Sequence, residues 1–264
     1  MKENILIYIA SHKRYEFPKL ENYVPIQVGA ALNENRFGYQ VDCEGINISE
    51  KNPYYCELTA LYWIWKNSNV ENVGLVHYRR YFCSNLNKRK DSIVSTSSFL
   101  NDLEQADIIL PMPFVWKKYT CSEYYCREAG REKDLQLVRK ILESNYKEYV
   151  ETFDEVMNGN SASYCNMFVC KKELLDQYCT WLFDVLEKVE SKIDMSGYNQ
   201  MEARVFGYLS ELLLNVWCIK QDLKIKYYPI INIERKSGLV NYLKQEYHEL
   251  RKRAREALQK RERN

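Results

Sequence analysis

The sequence of 264 residues lacks the short motifs that most often hold a metal ion. It contains no Asp-x-Asp, and no Cys-x-x-Cys occurs among its nine cysteines. Its three histidines, at positions 12, 77 and 248, do not lie at the close spacing of a ligand pair. We therefore expect neither a zinc site nor a catalytic metal.

The chain also lacks long apolar runs and linkers rich in proline, glycine or serine. No run approaches the roughly 18 apolar residues of a membrane span, and residues 5–10 are too few for the apolar core of a signal peptide. An odd cysteine count without a pairing pattern indicates reduced thiols, so we expect a cytoplasmic protein. We expect one domain over residues 1–238 and a helical tail over residues 239–264.

The composition is typical of a globular protein, with 46% apolar and 28% charged residues. A net charge of +2 does not indicate a surface that binds nucleic acid. Predicted strands and helices alternate, which favours an α/β fold with a mixed, mostly parallel sheet flanked by helices. The predicted strands are residues 5–10, 73–82, 106–111, 163–170 and 224–233. The predicted helices are residues 54–65 (with Asn52 as N-cap), 133–145, 146–157, 172–192 and 199–219, and residues 88–98 and 114–133 are predicted loops.

The most informative segment is HYRRYF, residues 77–82, at the end of a predicted apolar strand. Neighbouring guanidiniums repel each other and need an anion nearby if they are buried. Ligands of open α/β sheets bind at the carboxyl ends of strands, and guanidiniums bind phosphate oxygens through paired hydrogen bonds. We therefore interpret His77, Arg79 and Arg80 as a diphosphate site. A solvated basic strand end is the alternative interpretation.

Two further segments carry polar residues in apolar surroundings. In the predicted helix 199–219, Arg204, Tyr208 and Glu211 share one face with Gln200, and Gly207 leaves room for a close neighbour. That face is either a wall of the site or a structural Arg204–Glu211 pair. Asn166 lies in an apolar predicted strand, where its amide needs a backbone or ligand partner.

Several segments occur in a fixed order between residues 5 and 235: IASHK from residue 9, PIQVGA from 25, NISEKN from 47, CELTALYWIWKN from 56, GLVHYRRYF from 74, NMF from 166 and RVFGYLSE from 204. Together they resemble a bacterial family encoded with capsule, exopolysaccharide and O-antigen synthesis genes. The chain departs from that family's pattern twice. Gly45-Ile46 stands where a Gly-Asp pair is expected, and Tyr124-Tyr125-Cys126 is not followed by the expected histidine.

The resemblance implies a GT-A-like glycosyltransferase that moves a galactofuranosyl residue from UDP-galactofuranose to a saccharide acceptor. We expect inverting transfer without a metal, in which cations replace the metal at the leaving diphosphate. The side chains expected at the UDP-sugar donor are those of His12, Lys13, Asn47, Ser49, Glu57, His77, Tyr78, Arg79, Arg80, Asn166, Arg204 and Tyr208. Glu211 is the first choice for the general base, followed by Asp194, Glu202 and Glu57.

Residues 241–264 hold eight Lys or Arg against four Glu, in a helical pattern. Such a tail is either solvated or in contact with an anionic membrane surface, where the enzyme would meet a lipid-linked acceptor. Two other function classes stay open. One is a regulatory relative that binds a nucleotide-sugar without catalysis, as the missing carboxylate at Ile46 suggests. The other is a phosphate-handling enzyme such as a nucleotidyltransferase, which the absence of a P-loop disfavours.

Overall fold

The structure, a computed structural model, describes residues 4–85 and 92–234, and the predicted tail at 239–264 lies outside them. The described chain contains eleven strands: β1 Ile5–Ser11, β2 Tyr23–Gln27, β3 Gln40–Val41, β4 Asn72–His77, β5 Arg80–Phe82, β6 Ile108–Pro111, β7 Phe114–Val115, β8 Ser161–Ala162, β9 Phe168–Lys171, β10 Ile225–Tyr228 and β11 Ile230–Asn232. Its α-helices are α1 Asn52–Tyr55, α2 Leu58–Asn67, α3 Thr96–Asp102, α4 Cys121–Glu128, α5 Glu132–Asn145, α6 Val150–Asn158, α7 Lys172–Glu190 and α8 Val205–Lys220.

One large sheet organises the fold, with the strand order β10-β6-β9-β4-β1-β2-β3. The pairs β1–β2, β1–β4, β2–β3 and β6–β10 are parallel, whereas β9 runs antiparallel to both of its neighbours. The short strand β5 pairs antiparallel with β4 and β11, and β7 pairs with β8 in a separate small sheet. The prediction of a mixed, mostly parallel sheet flanked by helices is confirmed.

The sheet is buried on both faces because its central strands are apolar along most of their length, with polar residues only at the strand ends. Along β1, Tyr8 and Ala10 belong to the larger core, while Ile5, Ile7 and Ile9 belong to the smaller one. This alternation follows from the two-residue period of a strand. Helices α2 and α5–α8 supply most of the larger core, and α3 with the β5–β11 pair covers the smaller one.

The predicted continuous helix at residues 54–65 is wrong. Cys56 adopts φ 53° and ψ −129°, which ends α1 and starts a new helix, α2, at Leu58. Asn52 is the first residue of α1 and not its N-cap, and its side-chain amide donates to Cys56 O (2.7 Å) and Thr59 Oγ1 (3.2 Å). These bonds stabilise the break, which places Glu57 between the two helices.

Three predicted strands are shorter or interrupted. The strand at 73–82 reverses after His77, so that Arg80 of β5 pairs antiparallel with His77 of β4. The strand at 163–170 begins only at Phe168, because Cys165 and Asn166 have φ of 80° and 49°. The strand at 224–233 is divided between β10 and β11 at Pro229, which has no N–H to donate to a ladder.

The predicted loops contain helices that their capping residues stabilise. In the described part of segment 88–98, which begins at residue 92, Ser95 caps α3 by accepting from the N–H of Ser98. Within 114–133, Thr120 and Glu123 form a capping box at the start of α4. The predicted helix at 199–219 begins only at Val205. Before it, Asn199 Oδ1 accepts from the N–H groups of Met201 and Glu202, which favours a turn there.

The backbone at Cys56 lies in a region that residues with a side chain rarely adopt, so we expect strain there. Cys56→Gly should be more stable than Cys56→Ala by roughly 1–2 kcal/mol, because glycine relieves the strain at some cost in chain entropy. Both variants lose the same thiol, so its contacts cancel in the comparison. Urea unfolding of the two proteins measures the difference. Equal stabilities, or a more stable alanine variant, would show that this backbone is unstrained.

Candidate active site

The candidate site lies at one edge of the sheet, where the parallel strands β1 and β4 end and the antiparallel strand β9 begins. Opposite strand directions bring His77, the last residue of β4, next to the Cys165-Asn166 turn that precedes β9. His77 Nε2 lies 2.6 Å from Cys165 O. A carbonyl oxygen can only accept, so Nε2 carries the hydrogen and a neutral His77 offers Nδ1 as an acceptor.

The buried amide of Asn166 connects the elements of this edge. Its Nδ2 donates to Glu57 Oε1 (2.8 Å) and to Gly207 O (3.0 Å), and its Oδ1 accepts from Ser210 Oγ (3.0 Å). The left-handed backbone of Asn166 is one that asparagine tolerates better than most residues do. The single side chain therefore fixes the start of α2 and the first turns of α8 against β9.

Glu211 of α8 points to the same turn, and its Oε1 accepts from the N–H of Cys165 (2.8 Å). Burial raises the pKa of Glu211 to about 8, and the negative charge of Glu57 adds to this effect. The Cys165 N–H and the cations Arg80 and Arg204 act in the opposite direction. Glu211 also lines a cavity of about 320 Å³. A carboxyl group with this pKa is suited to exchanging a proton near neutral pH.

Cations surround the two carboxylates. Arg80 lies opposite His77 in the β4–β5 pair and has no ion pair with any residue in the described part of the chain. Arg204 precedes α8, with its Nε 3.1 Å from Cys56 Sγ and its guanidinium 5.2 Å from the ring centre of Tyr208. Burial lowers the pKa of His77, and Arg80 and Arg79 lower it further, although Glu57 opposes them.

A second group of cations lies at the ends of β1 and β4. Lys13 Nζ and Arg79 Nη1 are 3.2 and 3.4 Å from the two carboxylate oxygens of Glu234. Arg79 Nε is buried without a hydrogen-bond partner among the described residues. His12 packs edge-on to Tyr78, and burial, followed by Lys13 and Arg79, lowers the pKa of His12. Such a group is suited to binding an anion, a position that the Glu234 carboxylate takes here.

The structure brings together most of the side chains expected at the donor. These are His12, Lys13, Tyr78 and Arg79 in the second group, and Glu57, His77, Arg80, Asn166, Arg204 and Tyr208 around Glu211. Asn47 and Ser49 bond elsewhere. Asn47 donates to Cys43 O and Gly45 O, and Ser49 donates to the buried carboxylate of Asp42. Their hydrogen bonds hold the loop that follows β3.

The other acidic candidates lie outside this arrangement. Glu202 forms a bidentate ion pair with Arg131, with both distances at 2.9 Å, and this pair lowers the pKa of Glu202 to about 2. Asp194 accepts from the N–H of Ser196 in a surface turn. The alternative of a structural Arg204–Glu211 pair is wrong, because Arg204 bonds to Cys56 and Glu211 bonds to the Cys165 N–H.

Sequence reasoning missed Cys56, Cys165 and the aromatic wall of the cavity, which includes Tyr124 and Tyr164. Both cysteines form turns with positive φ that no glycine or proline signals, and the Cys56 thiol also accepts from Arg204 Nε. Burial raises the pKa of the Cys165 thiol to about 12, so the thiol stays neutral. The capping-box pattern of Thr120 and Glu123 could have predicted α4, the helix that carries Tyr124.

In residues 4–85 and 92–234, no three His, Cys, Asp or Glu side chains are grouped closely enough to hold a metal ion. Transfer without a metal stays a prediction.

All nine cysteines lie in the described ranges, and none of them is in a disulfide. Among the described helices, none is both long enough and apolar enough to span a membrane.

Known structures define the class of fold. The apo structure of WbbM, a bifunctional glycosyltransferase, matches with a TM-score of 0.80 and 32% identity, over 88% of this chain and 45% of that one. The chain therefore spans less than half the length of WbbM. A core-mannan synthase from Aspergillus fumigatus (CmsA/Ktr4, Mn/GDP form) matches at 11% identity with a TM-score of 0.38, over 88% of this chain and 75% of that one, which is too distant to inform the site.

The sheet topology and the match to WbbM define a GT-A-like fold. Residues 6–222 match the family model described as a domain of unknown function, DUF4422, and the chain belongs to that family. No curated protein matches the sequence.

Glu211 makes the stability of the fold depend on pH. Its pKa of about 8 in the folded protein is above the value of roughly 4.3 for an unfolded chain. Between these values only the folded state keeps the proton, so this group lowers the free energy of unfolding by up to about 1.4 kcal/mol for each unit that the pH rises. Glu211→Gln removes this contribution and should gain stability relative to wild type as the pH rises from 5 to 8.

Urea unfolding at several pH values between 5 and 9 measures this effect. Glu202→Gln is the matched control. Because the pKa of Glu202 is already low, its loss should cost the same stability at every pH in this range. A Glu211→Gln variant whose stability runs parallel to that of wild type over the whole range would mean that Glu211 titrates normally.

Proposed function

We propose that this protein is a glycosyltransferase that moves a hexosyl residue, galactofuranosyl as first choice, from a UDP-sugar to a saccharide acceptor in cell-surface polysaccharide synthesis. One observation carries the proposal. In a GT-A-like fold, two groups of cations and a carboxyl group of raised pKa meet at the carboxyl ends of β1 and β4. The match to WbbM and the segments resembling capsule and O-antigen proteins support the same function.

The cations are suited to the diphosphate of the donor. Arg80 is the principal anchor, because no carboxylate in the described chain competes for its guanidinium. Arg79 and Lys13 already share Glu234, so a phosphate must displace that carboxylate to bind them. His77 Nε2 donates to Cys165 O. We therefore assign His77 to the support of the turn and not to the phosphate.

Glu211 is suited to the role of general base in an inverting displacement. The acceptor oxygen forms a bond to C1 of the sugar, the bond from C1 to the phosphate oxygen breaks, and the hydroxyl proton passes to the Glu211 carboxylate. UDP leaves with the electron pair of the broken bond, and the guanidiniums stabilise its charge. With its pKa near 8, Glu211 is a strong enough base to accept this proton.

The chain's own cations supply the positive charge that a metal provides in other transferases, so we propose transfer without a divalent metal. A cytoplasmic location, a lipid-linked acceptor and membrane contact through residues 239–264 stay predictions. That segment lies outside the described residues.

Arg80→Ala should weaken the binding of UDP about 10- to 100-fold, as expected for the loss of a charge-assisted contact of roughly 1.5–3 kcal/mol. Arg79→Ala should weaken it less, because Arg79 must first leave Glu234. Isothermal titration calorimetry with UDP measures both effects. Arg139→Ala is the control, since Arg139 pairs with Asp154 on the surface. If both Arg79→Ala and Arg80→Ala bind UDP as tightly as wild type does, the diphosphate lies elsewhere.

Glu211→Gln should lower turnover by about 10²–10⁴-fold and leave UDP affinity nearly unchanged, because only the proton transfer is lost. The rate of the wild type should rise with pH up to about 8, as Glu211 loses its proton. UDP release from a panel of UDP-sugars with saccharide acceptors measures turnover per folded molecule. Glu202→Gln and Asp194→Asn are matched controls that should keep the wild-type rate.

The same assay in excess EDTA tests the metal-free mechanism. Full activity in chelator is expected, and a complete loss that manganese or magnesium restores would contradict the replacement of a metal by arginines. UDP binding without turnover of any UDP-sugar would favour the non-catalytic relative. Normal turnover of Glu211→Gln would show that another carboxylate is the general base.

A further inference from the structure

An aromatic row leads from the surface to the cavity that Glu211 lines. Trp116 stacks on Tyr124, with ring centres 3.6 Å apart and planes 22° apart, and Phe114 lies 3.9 Å from Trp116 on the outer side. On the inner side Tyr164 meets both Trp116 and Tyr124 edge-on, and Trp116 Nε1 donates to Tyr164 OH (3.3 Å). Tyr124 and Tyr164 also line the cavity. The row is therefore continuous from solvent to the cavity wall.

Local structure holds this row rigid. Phe114 and Val115 pair with Ala162 and Ser161 in the small β7–β8 sheet. The Trp116 N–H donates to Asn160 O (2.8 Å), and the Thr120–Glu123 capping box fixes the start of the helix that carries Tyr124. A preorganised platform loses little conformational entropy when a ligand binds to it.

The outer end of the row is unusually apolar for a surface. Met112, Phe114 and Val115 are 52%, 54% and 60% exposed. Phe114 contacts the half-buried Trp116, so the exposed apolar surface continues along the row toward the cavity. Contiguous exposed apolar groups of this kind are typical of binding sites.

The charge of the cavity restricts its ligand. Its lining contains the carboxyl groups of Glu128 and Glu211, and none of its described lining residues is a lysine or an arginine. The cavity therefore offers an acidic ligand no lysine or arginine to pair with, whereas its carboxyl groups and tyrosine hydroxyls can bond to the hydroxyl groups of a neutral ligand. Lys117 and Lys118 follow Trp116 on the exposed side of the row and do not line the cavity.

We propose that the cavity end of this row, Tyr124 and Tyr164, is the acceptor subsite, and that it binds an uncharged sugar by stacking. The apolar C–H face of a pyranose or furanose packs on the tyrosine rings that line the cavity, and its hydroxyl groups remain free to reach Glu211 and the tyrosine hydroxyls. Trp116, whose two ring faces are covered by Phe114 and Tyr124, holds Tyr124 in place. Glu211 lines the cavity that would hold this acceptor, whereas Arg79 and Lys13 do not. The proposal rests on the proposed glycosyltransferase function and adds the chemistry of its acceptor.

Saturation-transfer NMR with free glycosides tests binding without the donor. The probes are the methyl glycosides of glucose, galactose, mannose and N-acetylglucosamine, with methyl β-D-glucuronide as the charged counterpart of the glucoside. We expect saturation of the ring C–H protons of at least one neutral glycoside and a signal at least several-fold weaker from the glucuronide. Tyr124→Leu should abolish the signal, since leucine keeps apolar volume without a ring face, and Tyr124→Phe should retain it.

Kinetics separates this proposal from the proposed function. In Tyr124→Leu the KM for the acceptor should rise at least tenfold, whereas UDP affinity should match wild type. Trp65→Leu, which removes a partly exposed indole that stacks on Phe183, is the control for loss of a partly exposed aromatic ring away from the cavity.

Three outcomes would overturn the acceptor subsite: no signal from any neutral glycoside, equal signals from glucoside and glucuronide, or an unchanged acceptor KM in Tyr124→Leu. Failure of the proposed function gives a different result, because then no UDP-sugar is bound or turned over by any variant, including wild type.

Discussion

The geometry of the candidate site depends on the left-handed turn at Cys165 and Asn166. The carbonyl of Cys165 accepts from His77 and its N–H donates to Glu211, while the Asn166 amide bonds to Glu57, Gly207 and Ser210. Two residues thereby connect β4, α2, α8 and the start of β9. A positive φ costs conformational energy in a residue with a side chain, and the five hydrogen bonds at this turn offset that cost. Loss of this turn would release both carboxylates and the histidine together.

The electrostatics of the site follow from that arrangement. Glu57 and Glu211 are held near each other in partly buried positions, so Glu211 keeps its proton to about pH 8. The cations Arg80 and Arg204 lie close enough to lower this pKa but do not form ion pairs with Glu211. A carboxyl that is neither paired nor fully solvated can exchange a proton during a reaction. The cations remain available for an anionic ligand, which is the combination that glycosyl transfer from a nucleotide-sugar requires.

Much of the fold was predictable because hydrophobic periodicity determines which segments are strands and helices, and the apolar runs of β1, β4 and β6 are long enough to be recognised. The breaks were not predictable. The turn at Cys56 depends on bonds from Asn52, and the reversal after His77 depends on pairing of Arg80 with β4 and β11, which are tertiary contacts.

Among the site residues, Arg80, Arg204 and Glu211 were identifiable as charges in apolar surroundings. Tyr124 and Tyr164 were not, because 22 tyrosines occur in the chain and most of them offer no sign of which cavity they line.

The central claim is that the edge formed by β1, β4 and the Cys165-Asn166 turn binds the donor without a metal. A crystal structure with UDP bound in metal-free buffer tests it most directly. We predict that the diphosphate lies within hydrogen-bond distance of the Arg80 guanidinium, at the carboxyl ends of β1 and β4. Its terminal phosphate should face Glu211 and the aromatic cavity. UDP bound at another surface, or a diphosphate at this edge that makes no contact with Arg79 or Arg80, would contradict it.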